Sequence, residues 1–402
     1  MDCFKIKVDL INMNRKYLIL SVGLLFFWLC SSTFLRNNIG SSVRYFNDDV
    51  DRLDYFIRGM WLPEGKVPYR DVFSEYPQIS TYLFGLVFLP FLKETDIRSS
   101  FISYSTFFSL LMVYTLIALA ISIEKELPDE KKQLLFFLLL PAPLYYTFNR
   151  FDVLPAFISL IALLMAKRKN WEFVACLLGV GALTKWYPAL LVPPVAVYMF
   201  YKRESYRRIL EFIFLFGLIC LIILLPTFIA GGFRAVLVPY VNLQNNRGYD
   251  SASFLALMLP IIRSLIPGAR ENILKTIFLL MQFSAIPLLF FACIDSFERL
   301  LNCCLLAIST FMLFAPLYSP QWLLWIFPLM ILLARDKWDV GLIVLYGVLT
   351  YIEFPVAYDY FGAASFQMLI MGWVNVLLLI LIIVQAVKRF HALSISLPVV
   401  SG

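Results

Sequence analysis

Histidine is nearly missing from this chain: His391 is the only one in 402 residues. That excludes a histidine general base or a histidine-built metal centre as the main design. Charge is scarce as well, at 15% of residues against about a quarter in soluble domains, which excludes an ordinary soluble globule. The seven cysteines lie mostly in apolar stretches without metal-ligand spacing, and the adjacent Cys303-Cys304 reads as core packing. No glycine-rich phosphate loop occurs, so nothing points to a bound cytosolic nucleotide. The strict alternation of a membrane β-barrel is absent, and so is the internal repeat that would favour a repeat-built transporter.

Apolar residues are abundant instead, at 61%. The runs Ser99–Ile123, Phe212–Leu225 and Phe361–Val387 contain no acidic or basic residue. About 20 such residues cross a bilayer of ~30 Å as a helix. The expected fold is therefore all-α, a polytopic membrane bundle forming a single domain over 1–402. The net charge of +7 does not imply a nucleic-acid partner, because the basic residues cluster between apolar runs. Residues 17–35 follow Arg15 and Lys16 and lack a small-x-small cleavage site, so they read as a first anchor. The basic N-terminal flank places the N-terminus in the cytoplasm.

Topology turns on 76–92, an apolar stretch short for a crossing and bracketed by Pro77 and Pro90. If it lies at the outer face, the inner short loops carry thirteen basic residues and the outer ones only Arg150 and Lys185. If it spans, the totals swap, so the positive-inside rule favours the first choice. Later helices are expected near 97–123, 133–148, 153–167, 171–184, 187–201, 209–230, 270–293, 299–316, 320–334, 338–353 and 364–387. With the anchor that makes roughly twelve spans and a cytoplasmic C-terminus. Two long segments, 36–98 and 231–275, then face outward. The modest length and the lack of a retention signal point to a plasma membrane rather than an endoplasmic reticulum.

In the first outer segment Leu53, Phe56, Ile57, Met60 and Trp61 recur at helical spacing and predict an amphipathic helix lying in the membrane interface. Asp48, Asp49 and Asp51 fall at its start. Ordinary helix capping accounts for acids there. The alternative is chemical: Asp49 and Asp51 offer one carboxylate to take a proton from an acceptor hydroxyl and another to orient it, or to hold a divalent cation such as magnesium or manganese.

With Asp49-Val50-Asp51, then Glu64-Gly65-Lys66-Val67-Pro68-Tyr69 and Glu75-Tyr76-Pro77, the chain resembles the GT-C superfamily of integral-membrane glycosyltransferases. Within it, the chain is similar to the first mannosyltransferase of GPI-anchor synthesis and to bacterial polyprenol-phosphate-mannose-dependent α-mannosyltransferases. Thr184-Lys185-Trp186-Tyr187-Pro188 resembles the family's K-x-Y-P, Arg247 to Ser251 an R-x-x-x-S stretch, and Ser319-Pro320-Gln321-Trp322-Leu323-Leu324-Trp325 an S-x-Q-aromatic-x-x-W run. The resemblance implies an inverting displacement of a sugar, mannose first, from a polyprenyl- or dolichyl-phosphate donor to a lipid-linked or glycan acceptor. Asp49 would be the base with Asp51 in support. Arg247, Lys185 and Arg150 are the candidates to meet the donor phosphate. Tyr69, Glu75, Tyr76, Tyr187, Gln321 and Trp322 would bind substrate, although aromatic residues at this depth also form interface belts. A lipid-linked glycan polymerase or ligase, and a transporter or flippase, are the competing readings.

Overall fold

The computed structural model describes residues 48–246, 252–268, 270–289, 292–363 and 365–395. Their regular structure is helical throughout. Six helices among them are long and apolar enough to cross a membrane: Ile97–Glu124, Tyr206–Tyr240, Glu271–Leu289, Phe297–Phe314, Lys337–Phe361 and Phe366–Phe390. The chain is a multi-pass membrane protein. Six falls well short of twelve. The expected anchor at 17–35, and the N-terminal orientation with it, lie outside the described residues.

Helices form near most of the predicted places, but several do not have the length of a span. The stretch expected as one helix over 133–148 is a 3₁₀ run, Asp129–Leu139, followed by a nine-residue helix from Pro141 to Asn149. That helix meets Val153–Lys167 at a bend of 108°, so the pair is at most a seventh, broken span. Trp171–Thr184, Tyr187–Tyr201 and Pro320–Leu333 are apolar yet short, and Gln78–Phe91 is the same. At 1.5 Å per residue the last is about 21 Å long, short of the ~30 Å core, in keeping with a 76–92 segment that does not cross. Hydropathy registers what is buried, whether by lipid or by protein. The buried Trp171, Val174, Ala175 and Leu178 are covered by protein. The second expected loop, 231–275, is also largely helical, with Tyr206–Asn246 running through its start and Phe254–Leu265 and the beginning of Glu271–Met281 following.

We number the helices used below as α1 (Asp49–Met60), α2 (Gln78–Phe88), α3 (Ile97–Glu124), α4 (Pro141–Asn149), α5 (Val153–Lys167), α6 (Trp171–Thr184), α7 (Val192–Tyr201) and α8 (Tyr206–Asn246). Near the C-terminus follow α9 (Phe297–Phe314), α10 (Leu323–Leu333), α11 (Lys337–Tyr351) and α12 (Phe366–Ile395). The core is built by α5, α6, α9 and α10, with Leu160, Leu178, Ile308 and Phe327 almost fully buried. The long α8 packs along α6, where a Cβ on Gly179 would come within 2.7 Å of the Ile219 side chain. Its other side stays open, with Leu210, Phe214, Leu221 and Ile229 exposed. Gly232, at a φ of 70°, breaks its line.

The predicted amphipathic stripe divides in the structure. Phe56 of α1 turns into the bundle among Phe88, Phe101 and Tyr104, at ring separations of 5.3–5.5 Å. Leu53 and Ile57 remain 44% and 42% exposed. Gly59 allows α1 to meet α2 backbone to backbone: a Cβ there would lie 2.8 Å from the Phe84 carbonyl oxygen and 3.0 Å from the Phe88 Cβ. Gly59→Ala is therefore expected to destabilise the protein by about 1–3 kcal/mol, as overpacking does, read as a lower thermal midpoint in detergent.

Candidate functional site

The site lies where α4 ends, α5 begins, α6 ends and α10 begins, with the first turn of α1 against them. Asp48 caps α1, its Oδ1 accepting from the Val50 N–H at 3.1 Å. Its own N–H donates to Asn149 Oδ1 at 2.8 Å, which fixes the start of α1 to the end of α4. Arg150, in the extended break between α4 and α5, reaches back with Nη2 2.7 Å from Asp48 Oδ2 and Nε 2.6 Å from Asp51 Oδ2. Arg150 and Asp48 are almost fully buried, whereas the Asp51 side chain is 32% exposed. One guanidinium thus bridges two carboxylates, a buried one that holds the helix and an accessible one beside it.

Asp49 points elsewhere. It is 60% exposed and pairs at 2.6 Å with the buried Arg52. The two acids read as a pair from sequence therefore serve different arginines. Among the described residues no three His, Cys, Asp or Glu side chains gather as a metal-ligand set. Asp49 and Asp51, engaged with different arginines, do not fit a shared divalent cation.

Burial pushes the Asp51 carboxyl up from its ordinary value of 3.8; Arg150 opposes this, and the negative charges of Asp48, Asp54 and Glu75 add to it. Glu75 is thus within electrostatic reach of Asp51. The neighbouring Tyr76 packs edge-on against Tyr55 and Phe151 at 5.6 and 5.5 Å. Two cations lie over its ring, Arg58 at 5.1 Å and Lys185 at 5.7 Å from the centroid. Lys185 follows the last residue of α6, and the Thr184 carbonyl before it accepts from the Ser80 hydroxyl of α2. Its ammonium is walled by Tyr76, Phe151 (4.6 Å) and Trp325 (6.0 Å) and is 3.3 Å from Asp152 Oδ1. The same oxygen accepts from Trp325 Nε1 at 2.9 Å. Asp152 is fully buried, and its Oδ2 has no hydrogen-bond partner. Trp325 continues the wall, stacked on Tyr187 at 4.3 Å and on Trp322 at 4.6 Å.

Asp51, Arg150, Tyr76, Lys185, Tyr187 and Trp322, expected from the sequence, are thereby brought together, with Glu75 at the edge and Gln321 half-buried in the turn before α10. Tyr69 has a different place. Its backbone takes a φ of 68°, its ring is buried, and its hydroxyl lies 2.6 Å from the Tyr76 carbonyl and 2.8 Å from Thr81 Oγ1. It holds the loop that carries Tyr76 instead of presenting a face to a sugar. Arg247 and Ser251 lie outside the described residues. Nothing in the sequence marked Arg58 for the site, and the burial of Asp48, at the start of its helix, and of Asp152 was not legible there. Compared with protein-family models and with curated proteins, the chain finds no match.

Proposed function

We propose that this protein is a membrane glycosyltransferase that moves a sugar, mannose first, from a polyprenyl-phosphate donor to the hydroxyl of a lipid-linked or glycan acceptor at the outer face. The observation that supports it is convergence. Segments some 270 residues apart in sequence, around Asp51, Tyr76, Lys185 and Trp322, meet in one wall that pairs an accessible carboxylate with a cation and stacked aromatic rings. Asp51 is the base in this reading. It takes the acceptor O–H proton as the acceptor oxygen bonds to the sugar's anomeric carbon and the bond to the lipid phosphate breaks. A base needs to be within about 3 Å of the hydroxyl and partly reachable, as Asp51 is. Lys185 meets the leaving phosphate, since it shares one carboxylate, whereas Arg150 is already matched by two. Tyr187, Trp325 and Trp322 are buried and stiffen the wall from behind, and the half-buried Tyr76 ring is the one that meets the sugar. The exposed Leu53 and Ile57 rest on the membrane surface and set α1 at headgroup depth.

The test is transfer of radiolabelled sugar from polyprenyl-phosphate-mannose into lipid extract by the purified protein. Silence with mannose, glucose and arabinose donors alike would overturn the reading. The pH profile adds a second check. A base must be ionised, and the Asp51 value is raised, so the acid limb of the rate lies above 3.8. Glu75→Gln removes a negative neighbour and is expected to move that limb toward lower pH. A limb unmoved in Glu75→Gln, or one that survives Asp51→Asn, counts against Asp51 as the base.

A further inference from the structure

Glu353 lies within the span Lys337–Phe361 and is 1% exposed. Among the described residues no lysine or arginine pairs with it. Arg150, whose guanidinium sits 5.9 Å from the neighbouring Phe354 ring, is committed to Asp48 and Asp51. The partner of its carboxylate Oε2 is the Asn375 side-chain amide of α12, which donates to it. An ionised carboxylate placed in a low-dielectric interior without a counter-charge is strongly disfavoured.

The surroundings carry the argument further. Tyr346, Thr350 and Glu353 recur at i, i+4 and i+7 along one buried face of the span. Asn375 faces them from α12, Tyr318 from the turn before α10, and Tyr146 from α4, the last donating to the Phe354 carbonyl at 2.9 Å. The Tyr318 and Tyr346 hydroxyls lie within electrostatic reach of Glu353 and of each other. Beside the Tyr318–Tyr346 hydroxyl pair, two buried oxygens have no hydrogen-bond partner: Thr350 Oγ1 and Asn375 Oδ1. Buried polar atoms are satisfied in roughly nine cases of ten, so two orphans around one uncompensated carboxyl need an explanation. Thr106, Thr115 and Thr184 bond back to the carbonyl one turn before, a common resolution for a helical threonine, whereas Thr350, like Thr147 and Thr227, does not.

We propose that Glu353, Asn375, Thr350, Tyr318 and Tyr346 form a membrane-embedded site that takes one positive charge from the medium, as a proton or a sodium-sized cation. One carboxylate balances one monovalent charge, whereas a divalent ion would leave a surplus in the interior. Oxygen-only donors suit a hard cation. The site stands independently of the transfer chemistry proposed above.

The experiment uses the purified full-length protein in detergent, wild type against Glu353→Gln. Thermal midpoints are compared in sodium and choline chloride at equal ionic strength, and infrared spectra are read for a protonated carboxyl band. A saturable sodium-dependent rise, lost in Glu353→Gln, assigns a cation. A sodium-independent midpoint with a protonated carboxyl band missing only from the variant assigns a proton. Neither effect in the wild type overturns the proposal, and so does an effect that survives in Glu353→Gln. If that variant does not accumulate, Tyr346→Phe removes one hydroxyl and nothing else. It is expected to shrink the sodium shift or move the carboxyl band, and an unchanged result would overturn the proposal equally.

Discussion

Asp51→Asn is expected to lower sugar transfer by about a hundred- to ten-thousand-fold, the range that a positioned general base contributes. Asn keeps the size and the planar shape of the side chain but cannot take the acceptor proton. Asp49→Asn should retain at least roughly a tenth of wild-type transfer, because that carboxylate is solvent-exposed and engaged with Arg52. Purified variants with matched thermal midpoints, assayed side by side, separate the two. Loss in Asp49→Asn with activity kept in Asp51→Asn would move the base two residues back along α1 and sink the assignment of Asp51.

A different quantity responds to Arg150→Met. The substitution removes a cation 2.7 Å from Asp48, a carboxylate only 1% exposed. Breaking a buried pair by deleting one partner typically costs about 3–5 kcal/mol, because the remaining charge is stranded. The thermal midpoint should fall by many degrees. Pairing Arg150→Met with Asp48→Asn should recover part of the loss, since the stranded charge is gone, and such a double-mutant cycle isolates the coupling. An Arg150→Met protein as stable as wild type would mean that water reaches Asp48 and that the end of α1 is looser than described.

The sequence and the structure agree most closely on where helices lie, and least on which of them cross the membrane. Apolar composition locates 171–184 and 320–334 correctly, but each is covered by protein, and no hydropathy window separates a protein neighbour from a lipid one. The break at Arg150 was visible only as a charged interruption; its 108° bend depends on Arg150 being drawn toward Asp48 and Asp51 from more than ninety positions away. The site follows the same rule. The carboxylate spacing brought Asp51 forward, and the family resemblance brought Lys185, Tyr187 and Trp322. The partnerships were not legible. Asp48 appears in the sequence as an acid in the first turn of a helix, and the structure shows it as the cap, buried against Arg150. Glu353 appears as a charge at a helix end, and the regular helix does stop there, at the non-helical Phe354; what the sequence does not show is that the end is buried.

The long helix α8 links the bilayer to this site mechanically. Its apolar part before the break, from Phe212 to Gly231, measures about 30 Å at the helical rise, matching a hydrocarbon core of ~30 Å. Such a segment leans in a thinner bilayer and stands upright in a thicker one. Beyond Gly232 the same helix reaches Gln78, whose side-chain oxygen accepts from the Tyr240 hydroxyl at 3.2 Å, two residues after Tyr76. Thicker and thinner membranes therefore pull differently on the segment that carries a wall of the site, which makes acyl-chain length a control variable for this protein in reconstituted vesicles.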